Sequence, residues 1–269
     1  MKFIAKSMLI LAIIALVIGG VAYNLMSANV KHSGTINLAQ QNLAKESRSV
    51  TDEIEQVDMN GPFDLVIIRA NQASLSIQGE ERLLPKVVVQ QDGKNLHIST
   101  TGMLVTMNQM VKITLTIPKL TAVTQYGSGD TEVAGFSGTD IKFNLNGSGD
   151  LSFSGQYQHV GVQINGSGNT DLEVASADQI EINSAGSGDV TAVGKVNNFS
   201  AVSTGSGSID AQRLISQQSE VISHGSGSIK IYANKVVKGV LTGSGDIEIY
   251  GNPATQDVAN TGSGAVSAN

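Results

Sequence analysis

The chain has 269 residues, no Cys, no Trp and a formal net charge of −6 from 17 basic and 23 acidic residues. The lack of Cys excludes disulfides, zinc–thiolate sites, thiol catalysis and a lipidated N-terminal Cys, and the acidic balance argues against a nucleic-acid partner, whose binding needs basic charge on phosphate. The chain is 41% hydrophobic but only 4% aromatic, with 30 glycines, so any core must be built from Val, Ile, Leu and Ala.

The first element is residues 1–28. Lys2 and Lys6 precede an apolar run from Met8 to Ala22, the order of a secretory signal, and Gly20-Val21-Ala22 offers a small-x-small cleavage site. The same stretch, residues 7–28, also reads as an uncleaved N-terminal hydrophobic helix that tethers the chain to a membrane, since Met8 to Met26 at ~1.5 Å per residue is just long enough to span. Both readings export the remainder to the cell envelope, in the periplasm or at the cell surface. Residues 29–46 are polar and read as a linker, with room for one short helix around Asn37–Lys45.

Residues 47–120 read as an N-terminal β region. Alternating apolar and polar residues predict strands over Glu53–Met59, Phe63–Arg69, Ala73–Gln78, Lys86–Gln90, Asn95–Thr100 and Met110–Ile117. Asp92-Gly93 predicts a hairpin turn, and Asn60-Gly61-Pro62 marks another turn. Met103, Met107 and Met110 read as packing filler in a loop. This region is expected to cap the first coil of the C-terminal repeats and to block its open strand edge.

Residues 121–269 repeat. Gly-Ser-Gly begins at Gly127, Gly147, Gly166, Gly186, Gly205, Gly225, Gly243 and Gly262, in steps of 20, 19, 20, 19, 20, 18 and 19 residues. A fixed period near 20 predicts a solenoid of stacked coils. Each Gly-Ser-Gly is flanked by period-two segments such as Ile141–Leu145, Asp150–Phe153, Val160–Ile164 and Asp246–Ile249, which are half-buried strands. Leu-x-x-Leu-x-Leu is absent and propeller blades need about 40 residues, so the prediction is an all-β parallel β-helix with coils of about 19–20 residues. The glycines permit positive φ and leave room where successive turns stack. Strand signals weaken after Tyr250, and no capping helix is evident, so the C-terminal edge either frays or meets a partner.

Several of these segments together carry a family resemblance. Gly61-Pro62-Phe63-Asp64-Leu-Val-Ile, then Leu83-Leu84-Pro85, then Lys112-Ile-Thr-Leu-Thr-Ile-Pro118-Lys-Leu120 lead into Gly127-Ser-Gly-Asp130. This order resembles the autotransporter-adhesin head domain known as the GIN domain, over roughly residues 47–250. The resemblance implies a bacterial envelope protein with a right-handed parallel β-helix, and it brings no catalytic residues. A long stalk and a C-terminal membrane barrel, which a true autotransporter carries, are not evident.

The residues immediately after each Gly-Ser-Gly stack into a column: Asp130, Asp150, Asn169, Asp189, Ser208, Ser228, Asp246 and Ala265. A coil spacing of ~4.8 Å brings like charges together, which a calcium ion could bridge. The decay to Asn, Ser and Ala favours turn chemistry, in which these side chains cap nearby backbone groups. Asp130, Asp150, Asn169, Asp189 and Asp246 are therefore the candidate ladder, with no metal or cofactor called for. The residues before Gly-Ser-Gly, from Tyr126 to Thr261, form a second, outward polar column that includes His224.

Enzymatic polysaccharide cleavage is the least favoured reading. The repeats contain only Arg213 as an arginine, Lys195, Lys230, Lys235 and Lys238 lie on different coils, and no inserted loop builds a cleft. Gly-Ser-Gly precedes a strand rather than a helix, so it is no phosphate cradle. The function expected is a non-enzymatic envelope binding module that presents an exposed solenoid face to a surface glycan or protein. The alternative is a self-assembling protein whose solenoid ends stack into homo-oligomers.

Overall fold

The computed structural model describes residues 43–102 and 111–269. The leader or anchor of residues 1–28, most of the linker and the Met103–Met110 cluster lie outside the described residues. Among those described, no helix is long and apolar enough to cross a membrane.

The N-terminal strands are β1 (Leu43–Arg48), β2 (Gln56–Asn60), β3 (Phe63–Arg69), β4 (Ser74–Glu80), β5 (Val87–Asp92), β6 (Asn95–Thr100), β7 (Val111–Ile117) and β8 (Ala122–Gly127). The repeats form β9 (Thr131–Gly147), β10 (Leu151–Gly166), β11 (Thr170–Gly186), β12 (Val190–Gly205), β13 (Ile209–Ser223), β14 (Ile229–Leu241), β15 (Ile247–Gly251), β16 (Thr255–Asn260) and β17 (Val266–Ala268). From β9 through the β15–β16 pair these make seven coils of a β-solenoid. Each coil lies parallel on the last, as in Leu151↔Thr170, Thr170↔Val190 and Val190↔Ile209.

That register turns the sequence periodicity into a core. Leu65, Thr131, Leu151, Thr170, Val190, Ile209, Ile229 and Ile247 stack in one inward column, all buried. Aliphatic side chains of similar width fill such a column without gaps, and an aromatic needs a partner coil to accommodate it. Phe143 and Phe153 do this on neighbouring coils, with ring centroids 5.0 Å apart.

The coil that precedes β9 is split in sequence. β3 pairs with the early part of β9 (Leu65↔Thr131) and β8 with the late part (Ala122↔Lys142), while β4–β7 are inserted between them. The two flanks of the solenoid then continue outward separately. β7 is parallel to β3, β4 antiparallel to β7 and β1 antiparallel to β4. On the other flank β2 is parallel to β8, β6 parallel to β2 and β5 antiparallel to β6 across the Asp92-Gly93 hairpin. The region covers the open edge of β9 and leaves β1 and β5 as the outermost strands. Charged residues such as Lys45, Glu46 and Arg48 on β1 discourage further pairing there.

Two expectations are corrected. Leu43–Arg48 is a strand, so the helix placed around Asn37–Lys45 does not extend over Leu43–Lys45. Lys45 faces Gln78 and Arg48 faces Leu75, so pairing to an available edge overrides local composition. At the other end the strand signal fades after Tyr250, yet β16 pairs with Val236–Leu241 and β17 with Ile247–Ile249. These strands are largely exposed, so nothing requires an apolar alternation to mark them.

The glycine corners are close-packed. Ser148, Ser167, Ser187, Ser206, Ser226, Ser244 and Ser263 each donate their backbone N–H to the first glycine carbonyl of the preceding corner at 2.8–3.0 Å. A Cβ on either glycine of a corner would collide with the carbonyl stacked beneath it: Gly147 against Gly127, Gly188 against Gly168. The second glycine has no positive φ at any corner, so room, not φ, selects glycine there. Gly188→Ala should therefore lower unfolding free energy by about 2 kcal/mol or more, whereas Gly161→Ala, whose Cβ meets only the Lys142 side chain at 3.8 Å and Ile141 O at 4.0 Å, should stay within about 0.5 kcal/mol. Chemical denaturation of both variants checks this; equal losses would remove the steric explanation.

Glu55 ties the entry of β2 to the hairpin and to β8. Its carboxylate accepts from Lys94 at 3.0 Å and Lys119 at 3.2 Å. The Lys94 hydrogen bond is the main cause that holds its pKa below the ordinary 4.5. A depressed folded pKa gives stability that is present above about 4.5 and lost as pH falls through the folded value. Glu55→Gln should flatten that acid limb in a pH series of melting temperatures.

Candidate functional site

The column after Gly-Ser-Gly is a continuous ladder. Asp150 N–H donates to Asp130 Oδ1 (3.0 Å), Asn169 N–H to Asp150 Oδ1 (2.6 Å), Asp189 N–H to Asn169 Oδ1 (3.0 Å) and Ser208 N–H to Asp189 Oδ1 (2.8 Å). Serine hydroxyls carry it on: Ser228 N–H reaches Ser208 Oγ at 3.2 Å and Asp246 N–H reaches Ser228 Oγ at 3.3 Å. Asp246 Oδ1 then accepts from Ala265 N–H at 2.8 Å. Each side chain therefore caps the next coil and not its own turn, which departs from the local capping expected. A carboxylate gains most from such a bond, because charge strengthens it.

All five predicted ladder residues stand in this column, Asp246 being separated from the rest by the two serines. Asp64 was missed and belongs at its head, since its Oδ1 accepts Asp130 N–H at 3.1 Å. The signal was present: Gly61-Pro62-Phe63-Asp64 has the spacing of Gly127-Ser-Gly-Asp130. Gly61 N–H donates to Tyr126 O at 2.9 Å, and a Cβ on Gly129 would strike the Phe63 carbonyl. Pro and Phe in place of Ser and Gly disguise this corner. Among the described residues no group of three or more His, Asp or Glu is placed to hold a metal ion.

The outward column also contains bonds. Asn165 donates to Asn146 Oδ1 at 3.1 Å, and His224 Nδ1 lies 2.8 Å from Thr242 Oγ1. His159 pairs with Asp140 at 2.9 Å and His97 with Asp58 at 3.2 Å, all on exposed surface.

A groove of about 640 Å³ runs over the opposite bend of the coils, from Ser137 on β9 to Gln217 on β13. Sequence periodicity did not point to it, because here the repeat is irregular. The inter-coil register slips at Ser154/Gly155, Val174/Ala177 and Ala211/Ile215, so coil lengths vary by a residue or two at this bend. Its floor is low: Gly138 faces Tyr157 and Ala177 faces Val196. Tyr157 is turned inward and 2% exposed, with its hydroxyl donating to Leu120 O at 2.7 Å. Burial raises the pKa of that phenol well above the ordinary range. One wall carries Ser137, Gln156 and Lys195, the other Gln158, Asp178, Asn197 and Gln217. Asn197 Nδ2 donates to Asp178 Oδ1 at 3.0 Å, which links two coils along that wall.

A family model described as "Putative auto-transporter adhesin, head GIN domain" matches residues 53–173 and 142–253. Among solved structures the chain is similar to a "putative adhesin" from Parabacteroides distasonis, with a TM-score of 0.78 and 21% identity over 86% of this chain and 98% of that one. A "putative adhesin" from Parabacteroides merdae gives 0.75 and 19% over 84% and 96%. A "putative lipid binding protein" from Parabacteroides distasonis gives 0.73 and 22% over 86% and 98%. At these identities the likeness is one of fold. No curated protein matches the chain.

The ladder makes a direct prediction. Asp150→Ala leaves the Asn169 N–H without its acceptor and should cost about 1–2 kcal/mol, with faster hydrogen exchange at that amide. Asp150→Asn should recover most of the loss, since Asn169 already fills this role toward Asp189.

Proposed function

This chain belongs to the family of the auto-transporter adhesin head, GIN domain, and from that footing we propose that it is a non-enzymatic binding module of the bacterial cell envelope. Its contact surface is the groove between the two polar walls. One observation carries the reading: across five coils the bend presents side-chain amides and hydroxyls around a low floor, although the same coils bury their inward apolar side chains almost completely. A solenoid suits this work because its coils are held by inner columns and by the ladder at the glycine corners, so surface groups keep their spacing without a ligand.

Catalysis is disfavoured by the same lining. Among the described residues that form the groove there is one carboxylate, Asp178, and its Oδ1 is engaged by Asn197. Acid–base cleavage of a glycosidic bond calls for two carboxyl groups across the scissile bond. The family, together with the Lys2/Lys6 pair ahead of an apolar run, supports an envelope location with the solenoid outside the cytoplasm.

Adhesion of beads coated with the full chain to bacterial and host cells tests the reading. Gln156→Ala combined with Lys195→Ala should reduce adherent beads about tenfold, because multivalent attachment amplifies the loss at each site. Glu132→Gln, outside the groove, should leave adhesion unchanged. Adhesion that is absent, or indifferent to the groove pair, would overturn the assignment.

A further inference from the structure

The groove's chemistry restricts its occupant. Its walls advance one coil at a time, by ~4.8 Å, and offer chiefly neutral donors and acceptors: Gln156 on one side, Gln158, Asn197 and Gln217 on the other. A side-chain amide has two donor hydrogens and an accepting oxygen, the complement of a pair of vicinal hydroxyls. A β-1,4-linked pyranose chain in its extended form advances per unit by a distance close to one inter-coil step and turns over at each unit, so the same hydroxyls return to a given wall at every second coil.

Other extended ligands fit less well. A polyanion or polycation would need a matching charge at each step, and the lining holds one Lys195 against one Asp178. A peptide strand gains its affinity by pairing with an open sheet edge. Coils stack along the axis and spend their backbone groups on one another, so a strand lying in the groove parallel to that axis finds no edge. An acyl chain needs an apolar trough, whereas Val196 is 4% exposed and Ile215, at one end, is the exposed apolar residue of the lining. Aromatic stacking is ruled out as the main mode, because Tyr157 is buried and its hydroxyl is spent on Leu120 O.

We propose that the groove binds an extended, uncharged polysaccharide lying along the solenoid axis, held by hydrogen bonds from the amide walls and seated over Gly138 and Ala177. This rests on the groove being the binding surface proposed above. Such a ligand would be held by hydrogen bonds of modest net value, each about 1 kcal/mol, so affinity rises with chain length until the five coils are spanned and then levels off.

Affinity electrophoresis of the full chain through gels containing soluble glucomannan, mixed-linkage β-glucan or arabinoxylan, all neutral and rich in β-1,4 linkages, tests it. Hyaluronan and polylysine serve as charged comparators, and oligosaccharides of increasing length serve as competitors. At least one neutral polysaccharide should retard the protein. The Gln158→Ala/Asn197→Ala/Gln217→Ala variant should bind at least about tenfold more weakly while its circular dichroism and melting temperature are kept. Gln158 and Asn197 are exposed and Gln217 is half-buried; Gln158→Ala alone provides a milder variant if the triple fails to fold. Retardation only by a charged comparator, or by none of the probes, overturns the ligand class. If groove substitutions still abolish cell adhesion in that case, the binding surface stands without this ligand. If adhesion is also indifferent to the groove, both readings fall.

Discussion

The structure depends on how closely one turn can lie upon the next. At each Gly-Ser-Gly corner the carbonyl of one coil occupies the space where a side chain of the following coil would begin. Glycine lets the backbones approach to sheet spacing at a place where the chain is turning and where a Cβ would force the coils apart. Once the corners are in contact, strand pairing on both sides of them falls into register, and the aliphatic columns close. The requirement is local and repeated, which is why glycine returns at each corner of the repeats.

The corner also needs its polar groups satisfied, and the ladder does this from outside. Its carboxylates point along the stack, each with one oxygen bonded to the backbone of the next coil. The row of acids is thereby a structural seam between coils. The opposite bend has no such seam. There the coils differ in length, the register slips, and exposed amides line a hollow. One edge of each coil is constrained to sameness and the other is free to vary, and variation is where a surface acquires specificity.

The fold was legible because its determinants recur at fixed intervals: glycines near 19–20 residues, β-branched residues at every second position. Phe63–Arg69 and Asn95–Thr100 were delimited to the residue because turn chemistry bounds them on one side. Three things were not legible. Leu43–Arg48 becomes a strand through the edge offered by β4, a long-range cause that composition does not carry. Asp64 was hidden because Pro62 and Phe63 replace the usual corner residues. The groove was hidden because it arises from departures from the repeat, and a search for periodicity discards departures. The fold places the ladder residues in one column, but whether such a side chain reaches its own turn or the adjacent coil depends on distances that only the folded stack sets.

The ladder bonds have a direction: every acceptor belongs to one coil and every donor to the coil after it. As far as the ladder is concerned, a coil whose corner supplies a short polar acceptor and an N–H can stand in for another, and an extra coil could be spliced in, or one lost, with the ladder bonds re-formed. The molecule behaves as a ruler graduated in single turns. Lineages can lengthen or shorten its reach by duplicating or deleting about twenty codons, without inventing new interactions at the splice.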